Sequence, residues 1–300
     1  MHRALSLVIV ALSLLFGRSA EAKLAVVTST ATLASLVREV GGDRVKVTSL
    51  ALPTQDPHFV DAKPRLALEL KKADLLVVVG LDLEIGWLPV LQTGSRNGKV
   101  QVGAEGYLDC SRFVRVLDVP EGKVDRAAGD VHPQGNPHYL YDPRQAARVT
   151  KAIADKLAEL DPSHTDDYRK NALEFVKKLG KSTKLWEAQL AHARGAKVVA
   201  YHKSFSYLTD WLGLDVIAHI EPRPGVPPTP HHVAQVIELA KRRQVKLVLE
   251  ESYYFSATGE LVARKIGATL ARVPAAPSAT QGYIAHLDAI VKKLARVYEK

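Results

Sequence analysis

Sulfur-containing residues are almost absent from this chain: its 300 residues include one cysteine, Cys110, and one methionine, Met1. A single cysteine excludes an intrachain disulfide, a cluster of thiolate ligands and a redox pair. A nucleophilic Cys110 would need an activating base nearby, and the sequence shows none. We interpret Cys110 as a buried or incidental thiol, which leaves nitrogen and oxygen atoms as the donor groups for chemistry.

Long hydrophobic runs are also missing, except at the start of the chain. Residues 1–22 combine a basic residue, a short apolar run and a final A-E-A, a pattern typical of a cleaved signal peptide. The run is too short to span a bilayer comfortably. No cysteine follows it closely, as attachment to a lipid would require. We expect a periplasmic chain that begins at Lys23 and has no stable membrane anchor.

Acidic residues are fewer than basic ones, and the formal net charge is +9. Charge of this sign is common in proteins that bind nucleic acids or anionic surfaces. Here the basic residues alternate with acids in helix-like segments, which indicates solvated helix faces. We therefore expect no nucleic-acid partner, and we expect a monomer.

Short apolar strands alternate with amphipathic helices in two sets, which predicts an α/β protein with two lobes and mainly parallel sheets. The predicted lobes are residues 23–161 and 196–300. Residues 162–195, between them, have helix-forming composition and no proline after the first position. One helix there would span roughly 45 Å. We expect this long helix to join the lobes and a ligand to bind in the cleft between them.

Three histidines lie at the boundaries of predicted elements: His58 in TQDPHFVD, His138 in GNPHYLYDP and His202 in VVAYHKSFSYL. His58 and His202 follow strands, and ligands of open α/β sheets bind outside the carboxyl ends of strands. Three imidazoles and one oxygen ligand make a tetrahedral metal site. The spacing matches no local metal motif, so solvated or structural histidines stay open as the alternative.

Five segments resemble, in order, the cluster A-I substrate-binding proteins of zinc and manganese ABC transporters: DPHFVDAKP, ADLLVVVGLDLE, GNPHYLYDP, AYHKSFSYL and VKLVLEES. The resemblance covers nearly all of the chain after residue 22. It implies two α/β lobes, a rigid linking helix and a metal ion between the lobes, with His58, His138 and His202 as three ligands. Manganese-type members usually carry glutamate at the position of His202, so histidine there implies Zn²⁺.

The resemblance leaves the fourth ligand open. Many members carry an aspartate in the loop before the last helix, but residues 271–283 contain no acid here. Glu250 and Glu251 end a predicted strand at the cleft. Glu250 matches a glutamate that usually lies behind the site and orients a histidine. We expect Glu251 to be the fourth metal ligand, with Glu250 or a water molecule as alternatives.

Two loops lie near the predicted site. Zinc-specific members often carry a long histidine-rich loop, but the equivalent residues 122–138 hold only His132 besides His138. We interpret His132 as a turn residue, with an auxiliary, metal-collecting role as the alternative. The proline-rich residues 221–230 are interpreted as a rigid wall of the site or as a docking surface.

The resemblance and the residues together predict a periplasmic receptor that captures zinc and delivers it to a membrane ABC permease. Such a protein catalyses no reaction. One alternative is a manganese or iron receptor of the same fold. Another is a zinc-dependent hydrolase, because three histidines and a water molecule also make a catalytic zinc site.

Overall fold

Two parallel sheets form the centres of two lobes. The computed structural model describes residues 23–122, 132–223, 225–254 and 257–299, so the predicted signal peptide, residues 1–22, lies outside the described residues. Each sheet has four strands, and every strand pair in it is parallel. The predicted α/β fold with two lobes is confirmed.

The N-terminal sheet has the strand order β2-β1-β3-β4. Its central strand β3 has the sequence LLVV and is buried at every residue, which explains its continuous apolar run. The strands are β1 (Leu24–Thr28), β2 (Val45–Ser49), β3 (Leu75–Val78) and β4 (Tyr107–Asp109). The helices of this lobe are α1 (Ala31–Gly41), α2 (Pro64–Lys71), α3 (Leu88–Ser95) and α4 (Pro143–Leu160).

The C-terminal sheet repeats this order as β6-β5-β7-β8. The strands are β5 (Lys197–Ala200), β6 (Asp215–His219), β7 (Leu247–Glu251) and β8 (Thr269–Val273). The helices are α6 (Ser206–Leu212), α7 (Pro230–Arg242), α8 (Ala257–Ile266) and α9 (Tyr283–Tyr298), numbered after the linking helix α5 (Thr165–Gln189). In both sheets the strand order reverses beside the first strand, and ligands bind at such switch points.

Helix α5 makes side-chain contacts with both lobes. Near its start, Asn171 donates a hydrogen bond to the carbonyl of Val40 at 2.9 Å. Near its end, the Trp186 indole donates to Asp288 at 3.1 Å, and its ring meets the Trp211 ring edge-on at 5.9 Å. Attachment at both ends makes α5 a rigid connection between the lobes.

The linking segment differs from the prediction in length. Its α-helix has 25 residues, or about 38 Å at 1.5 Å per residue. The residues on either side of this helix form short 3-10 turns, Pro162–His164 and Ala191–Ala193. Within the described residues, no helix is long and apolar enough to cross a membrane.

Candidate metal centre

His58 lies on a turn formed by the sequence D-P-H after β2. The Asp56 carboxylate accepts a hydrogen bond from the backbone N–H of His58 at 2.9 Å and one from its ring Nδ1 at 2.7 Å. The carbonyl of Pro57 accepts a hydrogen bond from the Trp87 indole at 2.9 Å. Because aspartate in this position mimics a backbone turn, one carboxylate fixes both the backbone and the ring of His58.

His138 lies on a second turn of the same design, with the sequence N-P-H at residues 136–138. The Asn136 side-chain oxygen accepts a hydrogen bond from the backbone N–H of His138 at 2.9 Å. Its amide nitrogen donates to the carbonyl of Lys203 at 2.8 Å, which ties this turn of the N-terminal lobe to the C-terminal lobe. Gly135 before it has φ of 112°, and a Cβ there would come within 2.2 Å of a valine methyl, so glycine is required.

His202 comes from the C-terminal lobe, two residues after the end of β5. Its ring Nδ1 lies 2.7 Å from a carboxylate oxygen of Glu221, which follows β6. An ionised carboxylate only accepts hydrogen bonds, so the Nδ1 atom carries a hydrogen, and in the neutral ring that a metal ion requires Nε2 keeps its lone pair. The same argument applies to His58 beside Asp56. Both rings therefore offer Nε2 to a metal ion.

The charge of Asp56 supports this assignment. Burial raises the pKa of the Asp56 carboxyl, but the hydrogen bonds that it accepts from the ring and the backbone of His58 oppose burial, and this pKa lies below its ordinary value of 3.8. The carboxylate is therefore ionised at neutral pH. A negative charge behind the imidazole raises the basicity of the nitrogen on the opposite side of the ring.

The three histidines converge on one point. One ligand atom from each of His58, His138 and His202 lies within 4.8 Å of the others. The ring centroids are 5.2 Å apart for His58 and His138, and 5.6 Å apart for each pair with His202. Two rings come from the N-terminal lobe and one from the C-terminal lobe, so the cluster lies between the lobes.

One ring nitrogen of His138 is placed as expected for a metal ligand. This Nε2 atom is buried and has no hydrogen-bond partner among the described residues. Burial, together with the neighbouring His58 and His202, lowers the pKa of His138 well below 6.5, so the ring is neutral. A buried lone pair without a donor costs free energy, and a divalent cation would satisfy it.

Glu251 lies beside the cluster but outside the group of converging ligand atoms. It is 1% exposed, and its two carboxylate oxygens have no hydrogen-bond partner in the described residues. Burial raises the pKa of Glu251 to about 8, and the nearby charges of Asp56 and Glu221 add to this shift. The role of Glu251 as fourth ligand stays a prediction.

Glu250, one residue earlier on β7, is engaged elsewhere. Its carboxylate accepts a hydrogen bond from Arg272 on β8 at 2.8 Å, in the direction opposite to that of Glu251, since side chains alternate along a strand. The family resemblance gave Glu250 as a residue that orients a histidine ring or as an alternative ligand, and that role stays a prediction. The carboxylates in contact with the His58 and His202 rings are Asp56 and Glu221, which lie on loops that end at the cleft.

Those two carboxylates were missed from the sequence. Asp56 carries a local signal, because aspartate two residues before histidine is the spacing of a side-chain turn. Glu221 carries none, because it is 19 residues from His202 and meets it only through the pairing of β5 with β6. Glu221 also shows that the first residue of the proline-rich stretch 221–230 supports the cluster.

His132 lies against the cluster as well. Its Nε2 is 3.3 Å from Nε2 of His58, and the ring centroids are 5.3 Å apart. Burial lowers the pKa of His132 to about 3, against a hydrogen bond with the backbone of Leu81 that raises it. A bond that raises the pKa of histidine is one in which the ring donates. The role of a simple turn residue does not account for these contacts.

A protein-family model described as the periplasmic component A of a zinc-uptake complex matches residues 26–297. The chain belongs to this zinc-uptake component A family. The match covers both lobes and the linking helix, and it contains every residue of the histidine cluster.

Members with assigned metals are distant relatives. Zinc-binding lipoprotein AdcA from Streptococcus pneumoniae is 24% identical over 251 residues, which are 83% of this chain and 49% of AdcA. The chain thus spans about half the length of that relative. Zinc uptake protein ZnuA from Bacillus subtilis is 23% identical over 82% of this chain and 76% of its own length. Manganese-binding lipoprotein MntA from the same species is 26% identical over 79% and 73%.

Solved structures share the fold. A crystal structure of ZnuA has a TM-score of 0.78 at 24% identity and covers 92% of this chain and 99% of that chain. The protein FpvC from Pseudomonas aeruginosa, solved with Mn²⁺, has a TM-score of 0.78 at 20% identity and covers 93% and 99%. This chain therefore has the same two-lobe architecture as the solved ZnuA structure.

Proposed function

We propose that this chain is a periplasmic receptor that binds one zinc ion through His58, His138 and His202 and delivers it to a membrane ABC permease. The observation that carries the proposal is the convergence of three imidazole nitrogens from two lobes within 4.8 Å. Membership of the zinc-uptake component A family supports the same function. Such a receptor acts as a monomer, is not an enzyme and releases its ion unchanged.

The donor set supports zinc as the cargo. Neutral imidazole is a borderline-soft ligand that suits zinc, whereas manganese prefers oxygen ligands. Two carboxylates, the half-buried Asp56 and the buried Glu221, each hold the Nδ1 of a ligand ring at 2.7 Å. They fix the tautomer that leaves Nε2 free, and their negative charges partly balance the two positive charges of the ion.

The position between the lobes supports capture and release. His202 belongs to the lobe opposite to His58 and His138, so a small opening of the cleft separates the ligands. Delivery to a permease needs such a loss of affinity. The predicted signal peptide, residues 1–22, supports a periplasmic location.

A manganese receptor is the second candidate. Relatives named as manganese-binding, MntA and PsaA, are 26% identical to this chain, slightly more than the zinc-named relatives. Competition between zinc and manganese for the same chain separates the two functions. We expect zinc to displace manganese at equal concentrations. If manganese displaces zinc instead, the cargo of the receptor is manganese.

The proposal is tested by metal analysis of the chain purified without added metal, followed by calorimetric titration of the metal-free form. We expect one zinc per chain, with Kd well below micromolar. His58→Ala, His138→Ala and His202→Ala should each weaken binding by roughly tenfold or more. The control is His192→Ala, an exposed histidine beyond the linking helix. Affinity equal to that of the wild type in two of the three ligand variants would refute the site.

A further inference from the structure

His132 shares the pocket of the three predicted ligands. One pocket between the lobes is lined by His132, His138 and His202, and the remaining ligand, His58, touches His132 directly. The centroids of the His132 and His138 rings are 6.5 Å apart. His132 therefore lies at the rim of the same cluster, in a position to contribute a fourth nitrogen.

The distance between His132 and His58 fits a shared metal ion. Zinc–nitrogen bonds of about 2.0–2.1 Å in a tetrahedral site place neighbouring nitrogens about 3.3–3.4 Å apart. The two Nε2 atoms are 3.3 Å apart. Nε2 of His58 already carries a lone pair, since its Nδ1 donates to Asp56. The two rings therefore have the separation of one edge of the coordination tetrahedron.

The hydrogen bonding of His132 favours a cation at that edge over a simple contact between the rings. A neutral imidazole has a single N–H, and the His132 ring donates to the backbone of Leu81. With that hydrogen engaged, the facing nitrogens are both lone pairs, which repel each other unless a cation lies between them. Ligating histidines commonly donate their other nitrogen to a carboxylate or a carbonyl, as His58 and His202 do.

The carboxylates nearest the cluster already have partners: Asp56 and Glu221 orient rings, and Asp118, which lines the same pocket, accepts hydrogen bonds from Asn136 and Ser206. Ala275 and Ala276 line a second pocket, which also contains His138, and their loop carries no acid. Glu250 is paired with Arg272. Glu251 and His132 both lie outside the converging group, and of the two His132 is the one with a ring nitrogen 3.3 Å from a predicted ligand. His132 is thus an additional donor, besides the two carboxylates that orient rings, that the structure places against a predicted ligand.

We propose that His132 is the fourth ligand of the cargo ion, which completes a site of four imidazoles without a coordinating carboxylate. This inference rests on the proposed function and specifies its donor set. A site with only nitrogen donors favours Zn²⁺ over Mn²⁺ more strongly than a site with three nitrogens and a carboxylate. It also gives a function to a histidine that comes from a loop rather than from the end of a strand.

The test is X-ray absorption spectroscopy at the zinc edge, with zinc affinity measured by chelator competition on the full exported chain. The variants are His132→Asn, Glu251→Gln and the matched control His192→Asn. We expect four imidazoles in the wild type and three in His132→Asn, with affinity at least tenfold weaker in that variant. His192→Asn should match the wild type in both measurements. Equal melting temperatures of the metal-free proteins would show that the variants fold.

The outcomes separate this inference from the proposed function. Zinc bound by three imidazoles in the wild type, with His132→Asn unchanged, overturns the fourth ligand and leaves the zinc receptor intact. Loss of an oxygen ligand in Glu251→Gln assigns the fourth position to Glu251 and also overturns the inference. A wild-type chain that binds no zinc refutes the proposed function itself.

Discussion

Holding Glu251 protonated in the folded chain should cost the metal-free protein stability at neutral pH. Burial raises the pKa of Glu251 from its ordinary value of 4.5 to about 8, so the folded chain keeps a proton that the unfolded chain loses above pH 4.5. When folding raises the pKa of a carboxyl, the folded protein loses stability as the pH rises from the pKa of the unfolded chain towards the pKa of the folded chain. The loss is about 1.4 kcal/mol per pH unit, or about 3 kcal/mol between pH 4.5 and pH 7.

Glu251→Gln removes this cost, because an amide does not ionise. We expect the free energy of unfolding of the variant, relative to the wild type, to increase by about 1.4 kcal/mol for each pH unit between pH 5 and pH 7. The measurement is denaturant unfolding of both proteins in the presence of a chelator at several pH values. Any constant effect of the amide on packing cancels, since only the change with pH is compared.

The control is Glu174→Gln, which neutralises an exposed glutamate on the linking helix α5. Its stability difference from the wild type should stay nearly constant over the same pH range. Parallel profiles for Glu251→Gln and the wild type would show that Glu251 is ionised in the folded protein, and would contradict the effect of burial described above.

Two further predictions concern zinc binding. Asp56→Asn and Glu221→Gln should each weaken zinc binding about 10- to 100-fold, because each variant loses the carboxylate that holds Nδ1 of a ligand ring. The control Asp215→Asn, at an exposed position, should have no effect in the same titration. Unchanged affinity in both carboxylate variants would show that the carboxylates do not support the ligands. Burial keeps His138 neutral well below pH 6.5, so zinc affinity should fall by at most about a hundredfold per pH unit between about pH 5 and pH 7.5, because one of the three ligands then displaces no proton. A fall near a thousandfold per unit would mean that all three rings are protonated in the metal-free chain.

Much of the fold could be predicted from periodicity. Buried strands such as LLVV and LVLEE stand out because a parallel sheet covered on both faces needs continuous apolar runs. The strand β4 was missed because its three residues, Tyr107–Asp109, are too few to form a pattern. Helix α3, Leu88–Ser95, was missed as well, since its eight residues include both a proline and a glycine.

The sequence by itself determined the local geometry of two predicted ligands. The spacings D-P-H and N-P-H place a side-chain acceptor two residues before His58 and His138, so these turns need no distant partner. Tertiary structure alone decided the rest. Glu221 reaches His202 only because β5 and β6 are neighbours, and His132 meets His58 across 74 residues. Local spacing fixes a turn through short hydrogen bonds, whereas contacts between distant loops depend on how the chain packs around both sheets.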